Sequence, residues 1–335
     1  MKIAKYRHVI GTGGIGSGIL FEMDGNRALS RNETRLAHLS PAKDYCKQHI
    51  ILHYIARILT PDVSVHAIGA VGDDQPGRAL LQMMAEAGID ATFVARHREL
   101  PTMYAVCLQY PDKAICNVTT ANSASAAVSA VDIEQAIAAL PFAPDRGTIA
   151  IAVPEVPLEA RLTLLSLAKN GGAFCVASFL SDEAGDFARG DGIRNTDLLV
   201  INEDEAAAFL GDAMEDPQQL VSACYRKVKE QNPSALLAIT FGAEGSYPCQ
   251  GDQIVHLPAV PVKVVATGGA GDAFVAGTVC GLALGLPFLP GGGPSAAQLG
   301  ASLAAESITK LDTIADSIDK PFAMEVIRKM TAGER

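Results

Sequence analysis

The sequence predicts an α/β protein in three layers, with helices on both faces of a mainly parallel sheet, and three observations carry that reading. Apolar runs of strand length recur along the chain, helical patterns fall between them, and 49% of the 335 residues are hydrophobic against 19% charged. Strands apolar at nearly every position need cover on both faces, which a parallel sheet between helical layers supplies.

The strands read in order as VSVHAIGAVG (63–72), TIAIAVP (148–154), AFCVASF (173–179), DLLVIN (197–202) and ALLAITFG (235–242). Helical patterns read as GRALLQMMAEAG (77–88), DIEQAIAAL (132–140), LEARLTLLSLAKNGG (158–172), PQQLVSACYRKVKE (217–230) and AQLGASLAAESIT (297–309). A single α/β core reaches this length, so one domain over 1–335 is expected. Two segments break the rhythm. Residues 17–45 are polar and irregular, and 91–122 reads as short alternating strands with turns such as Tyr110-Pro111-Asp112-Lys113. Together, over about 14–42 and 91–122, they predict a small β subdomain that could serve as a lid, a solvated hairpin or a dimer contact.

A net charge of −10 argues against nucleic acid or anionic membrane partners, because the long-range field repels phosphates. Any phosphate ligand must be gripped locally. The seven cysteines are scattered and never in C-x-x-C spacing, so reduced thiols are expected rather than disulfides or zinc. The first residues, MKIAKYRHVIG, lack an apolar leader, and no apolar run reaches the length of a membrane span; a soluble, cytoplasmic protein is expected.

Gly11, Gly13 and Gly16 spell G-x-G-x-x-G after a short apolar stretch, which raises a nicotinamide oxidoreductase as one reading. The context fails. No helix pattern starts at these glycines, and the acid nearest to the required spacing of about twenty residues, Glu33, sits in a polar run with no strand before it.

The more informative glycines lie in VVATGGAGDAFVAG, from residue 264. Gly269, Ala270 and Gly271 at a helix start let backbone amides approach an anion with favourable dipole polarity. Asp272 beside them has two readings. It is an ordinary helix cap, or it is a general base that takes a proton from a substrate hydroxyl while those amides hold the transferring phosphoryl. The P-loop signature is absent from the chain.

The stretch T-G-G-A-G-D-A-F resembles the C-terminal signature of the PfkB, or ribokinase-like, carbohydrate kinases. Other stretches fall in that family's order: Val71-Gly72-Asp73-Asp74 with Gly77, Gly88-Ile89-Asp90, Asn202-Glu203-Asp204-Glu205, and Ile239-Thr240-Phe241-Gly242-Ala243-Glu244-Gly245. The resemblance covers about residues 8–315. It implies a ribokinase-like fold and an ATP-dependent phosphotransferase acting on a sugar or sugar-like alcohol under a β lid. By the same resemblance Asp272 is the base and Gly269, Ala270 and Gly271 form the anion hole. Asn202 and Glu205 then accompany Mg²⁺ with Glu205 as its ligand, Thr240, Gly242 and Gly245 meet nucleotide phosphates, and Ala301 packs near adenine. Lids of this family also pair into homodimers. Read from the residues alone, Asn202 and Glu205 equally form a helix-start cap, Thr240 and Gly242 an ordinary strand exit, and the small face of 297–309 plain helix packing.

Three departures mark this chain. Ala266 stands where the family writes Asp, which argues against monovalent-cation activation. The G-G-x-x-N sugar motif has no counterpart; LSPAKDYCKQHI (39–50) replaces it and is read as starting a helix with Lys43, Asp44 and Lys47. Gly14-Ile15-Gly16-Ser17-Gly18 occupies the place of a sugar-binding Asp, leaving Ser17 as the substrate candidate. Sugar recognition must therefore differ, with Lys43 or Lys47 offering a route to an anionic acceptor. A catalytically weak relative that binds nucleotide or metabolite is the alternative.

Overall fold

The computed structural model describes residues 5–112, 114–211, 214 and 216–333. In chain order its strands are β1 (His8–Thr12), β2 (Gly16–Glu22), β3 (His38–Leu39), β4 (Asp44–Tyr45), β5 (Ser64–Gly72), β6 (Ile89–His97), β7 (Met103–Gln109), β8 (Ile115–Thr119), β9 (Thr148–Ala152), β10 (Phe174–Ala177), β11 (Leu198–Asn202), β12 (Leu236–Thr240), β13 (Ser246–Gln250) and β14 (Gln253–Ile254). Its helices are α1 (Lys47–Leu59), α2 (Gln75–Glu86), α3 (Ala130–Ala139), α4 (Leu158–Gly171), α5 (Ala184–Arg189), α6 (Glu203–Leu210), α7 (Pro217–Gln231), α8 (Ala270–Ala283), α9 (Ala296–Ser307) and α10 (Lys320–Ala332).

Because helices separate most of its strands, the larger sheet is parallel from β12 to β6, in the order β14-β13-β12-β11-β10-β9-β1-β5-β6. Only β13 and β14, joined by tight turns, run antiparallel at one edge. Successive side chains point to opposite faces, so Val9, Ile149 and Ile151 enter one core while Ile10, Ala150 and Ala152 enter the other. Residues of α1, α2, α8, α9 and α10 fill the first core and those of α3 to α7 the second. The three expected layers follow from that split. Helices α8 and α9 approach closely because a Cβ on Gly277 would lie 2.8 Å from Gly300 Cα.

The smaller sheet has the order β3-β2-β7-β8, with β4 pairing to β2. Its second segment starts later than the sequence pattern suggests. Ile89–His97 pairs in parallel with β5 and belongs to the larger sheet, so residues 91–97 are not part of the smaller one. As an edge strand β6 exposes alternate residues, which reads in sequence like a free hairpin. Lys113, in the expected turn, lies outside the described residues. Asp74 joins the sheets: it caps α2 by accepting the Gly77 amide and also accepts the amide of Thr102, just before β7, at 2.8 Å.

The expected helix start also moves. Lys43 and Asp44 precede α1, because Asp44 pairs with Gly18 of β2 and the helix opens only at Lys47. All seven cysteines are free thiols, and no helix among the described residues is long and apolar enough to cross a membrane.

One buried hydroxyl fixes the segment that follows α9. Tyr54 of α1 donates to Thr313 O at 3.1 Å and accepts the Ala315 amide at 2.8 Å. Tyr54→Phe leaves both backbone groups without that partner in a site the tyrosine shields completely. We expect it to cost about 1–3 kcal/mol, read as a lower urea midpoint at unchanged m-value.

Candidate active site

Two cavities meet at the N-terminus of α8. Gly269 precedes the helix at φ 78°, a left-handed conformation that glycine adopts without strain, and Ala270 and Gly271 open the first turn. Amides of a first turn have no helical acceptor and lie at the positive end of the helix dipole. Asp272 follows, at the third helical position.

The cap reading of Asp272 does not match the structure, because Gly269 occupies the cap position and no side chain closes it. The carboxylate instead faces Lys47 of α1, with Nζ 3.6 Å from Oδ1. Both groups are shielded but accessible, with side chains 13% and 33% exposed for Asp272 and Lys47. Burial raises the Asp272 carboxyl above the ordinary aspartate range, against the opposing pull of Lys47. The carboxylate in turn holds the Lys47 ammonium above the ordinary lysine range.

The inner cavity, about 150 Å³, is lined among others by Asp44, Tyr45, Asn117, Glu155, Gly269 and Asp272. Glu155 follows the end of β9 and sits at φ 78°, a conformation rare for a side chain of this kind and found where a site holds a residue in place. It accepts the backbone amide of Lys47 at 3.0 Å, and burial pushes its carboxyl up to about 7. A more open space of about 490 Å³ shares Lys47, Asn117 and Glu155 with the inner cavity, so a larger ligand can extend outward.

The cavity on the other side of the α8 terminus measures about 550 Å³ and is mostly apolar. Thr240, Gly242, Gly245, Gly271 and Ala301 line it, with Ala270 and Phe274. These include most of the residues that the sequence pattern assigns to nucleotide. Gly269 falls on the other side, beside Asp272. Asn202 and Glu205 line neither cavity; they form a reciprocal cap at the start of α6, each side chain accepting the other's amide at 2.8 Å. Glu205 nevertheless stands within electrostatic reach of Lys47 and Asp272, and burial raises its carboxyl. Ser17 is half-buried in β2 and lies outside the lining of the inner cavity.

Glu155, Asp44 and Asn117 were not singled out by sequence as site residues. Glu155 had a signal, an acid just past the carboxyl end of an apolar strand, where open α/β sheets bind ligands. The other two reach the cavity only through pairing in the smaller sheet.

Residues 51–321 match the description "pfkB family carbohydrate kinase". The chain belongs to the pfkB family. An 87-residue stretch is 39% identical to a fructokinase of Klebsiella pneumoniae, covering 26% of each chain, so the match spans about a quarter of that relative's length. Among solved structures, this pfkB chain is similar to a nucleoside kinase of Burkholderia thailandensis in complex with inosine. That likeness has a TM-score of 0.75 at 15% identity over 98% of this chain and 99% of that one. Aminoimidazole riboside kinase of Salmonella enterica, complexed with aminoimidazole riboside and an ATP analogue, gives 0.68 at 18% identity over 95% and 99%. At these identities the structural likeness speaks for the ribokinase-like fold.

Lys47 is the cation that favours ionised Asp272, so removing it raises the carboxyl further. For Lys47→Met the acid limb of kcat/KM against pH is expected to move to higher pH by about one unit. An unmoved limb in the pH-rate profile would separate the two groups.

Proposed function

We propose that this protein is an ATP-dependent kinase that phosphorylates a hydroxyl group of a sugar or sugar-like small molecule. The observation that carries the reading is the partition at α8: Asp272 opens to a cavity lined by charged side chains on one side, and the helix's first turn borders a mostly apolar cavity on the other. An acceptor in the first and a nucleotide in the second would meet at the amides between them.

The residues present fit ATP. The larger cavity has small walls at Ala301 and Ala304, the first turn of α8 at Ala270 and Gly271 facing it for phosphate, and volume for a nucleotide base. Glu205, with one carboxylate oxygen not used in the cap and within electrostatic reach of the α8 terminus, would hold a hydrated Mg²⁺ that accompanies the nucleotide. Bound there, Mg²⁺-ATP supplies the phosphoryl group and part of the charge neutralisation. Asp272 accepts the proton of the acceptor hydroxyl as its oxygen bonds to the γ-phosphorus and the bond to the leaving nucleotide oxygen breaks. The Gly269–Gly271 amides hold the shifting negative charge, and Lys47 adds a positive charge beside it. The smaller sheet, carrying Asn117 over the cavity, shields the reaction from water.

Seven free thiols suit a reducing cytoplasm. The smaller sheet also leaves Leu39 64% and Val118 71% exposed, which supports pairing of two chains through this lid. Light scattering is expected to give twice the chain mass; a monomer mass at micromolar concentration would refute the pairing.

Asp272→Asn is expected to keep ATP binding while lowering turnover by about 10²- to 10⁴-fold. The test is ATP consumption over a panel of sugars, nucleosides and amino sugars, with calorimetry for ATP. Equal turnover in the variant would remove Asp272 as the base. Tight ATP binding with no product from any acceptor would favour the non-catalytic relative.

A further inference from the structure

Gly14, Gly16 and Gly18 lie at alternate positions where the chain leaves β1 and enters β2, and each is overlain by a side chain from elsewhere. A Cβ at Gly14 would strike the Glu155 carboxylate, one at Gly16 would lie 2.8 Å from Cys46 Sγ, and one at Gly18 would strike Oδ2 of Asp44. Close approach at these points requires bare backbone. Two carboxylates from separate segments are thereby seated against the strand, and both line the cavity that holds Asp272.

Asp44 is poorly neutralised where it sits. The Cys107 thiol donates to its Oδ2 at 3.2 Å, and no ion pair engages it among the described residues. Burial chiefly, and the nearby Asp272, raise its carboxyl against the opposing hydrogen bonds of Cys107, Tyr45 and Thr313. Lys47 is engaged by Asp272, and Lys43, the other lysine on the lining, is exposed. An anionic acceptor would therefore meet two carboxylates whose nearest cation is already engaged, whereas hydroxyl or ammonium donors on the acceptor would find acceptor oxygens lining the cavity.

We propose that Asp44, seated over Gly18, is the specificity-determining residue of the acceptor site. With Glu155 it binds hydroxyl or ammonium groups, ranks amino-substituted polyols above neutral ones, and rejects sugar acids and sugar phosphates. This rests on the kinase reading for the chemistry but not for binding. It replaces the expectation that Lys43 or Lys47 recruits an anion.

The test uses full-length protein and matched triplets at pentose and hexose size, differing only in an amino, hydroxyl or carboxylate substituent. Turnover and calorimetric binding are both measured for wild type, Asp44→Asn and Gly18→Ala. For Asp44→Asn we expect acceptor KM and Kd to rise about 10- to 100-fold with kcat and ATP affinity nearly unchanged. The amino preference should collapse in the same variant. Gly18→Ala, which displaces the carboxylate without removing it, is expected to show the same KM effect. A preferred sugar acid, an unchanged acceptor KM in Asp44→Asn, or no binding of any triplet member overturns the proposal. Acceptor binding that needs Asp44 but yields no product overturns the kinase reading and leaves the assignment of Asp44 standing.

Discussion

The contact between Lys47 and Asp272 is the constraint on which the site depends. It joins the first turns of two helices, and the partners stand in opposite relation to their helix dipoles. An acid in the first turn of α8 is favourable, whereas a cation at the first position of α1 is not. Lys47 is tolerated there because Asp272, Glu155 and Glu205 surround it with negative charge. Its backbone amide is also held by Glu155, so the side chain that compensates the acid is anchored at its root.

The two halves of the site are built from different material. The cavity proposed for nucleotide is mostly main chain and small side chains, from Thr240 to Ile308. The cavity proposed for the acceptor gathers Leu20, Asp44, Asn117, Glu155 and Asp272 from distant parts of the chain. Thr313 completes its wall, held by the buried Tyr54 hydroxyl.

That difference decides what could be read from sequence. Glycines at a helix start and a strand-end I-T-F-G keep their grouping as local strings, and the structure brings Thr240, Gly242, Gly245, Gly271 and Ala301 to one cavity. The parallel sheet was legible because its central strands are apolar throughout, as in TIAIA of β9. Edge strand β6 was misplaced because only one face of it is well covered, and the pattern of a half-covered strand is the same in either sheet. Asp44 was hidden for another reason. Its position follows from antiparallel pairing with Gly18, a register set by tertiary packing rather than by neighbours in sequence. For Asp272 the motif left two readings open, and the cap reading falls because Gly269 takes the cap position while the carboxylate turns to Lys47.

The partition at the start of α8 has an evolutionary consequence. Under the proposed function, selection on phosphoryl chemistry and selection on the acceptor overlap in the stretch from Ala266 to Asp272, while Leu20, Asp44, Asn117 and Glu155 answer to the acceptor alone. Drift at Gly16, Gly18 or Asp44 can thus redirect such a lineage to a new metabolite without passing through a form that has lost its transfer machinery. The divergent opening glycines beside an intact G-A-G-D are the mark such a history would leave.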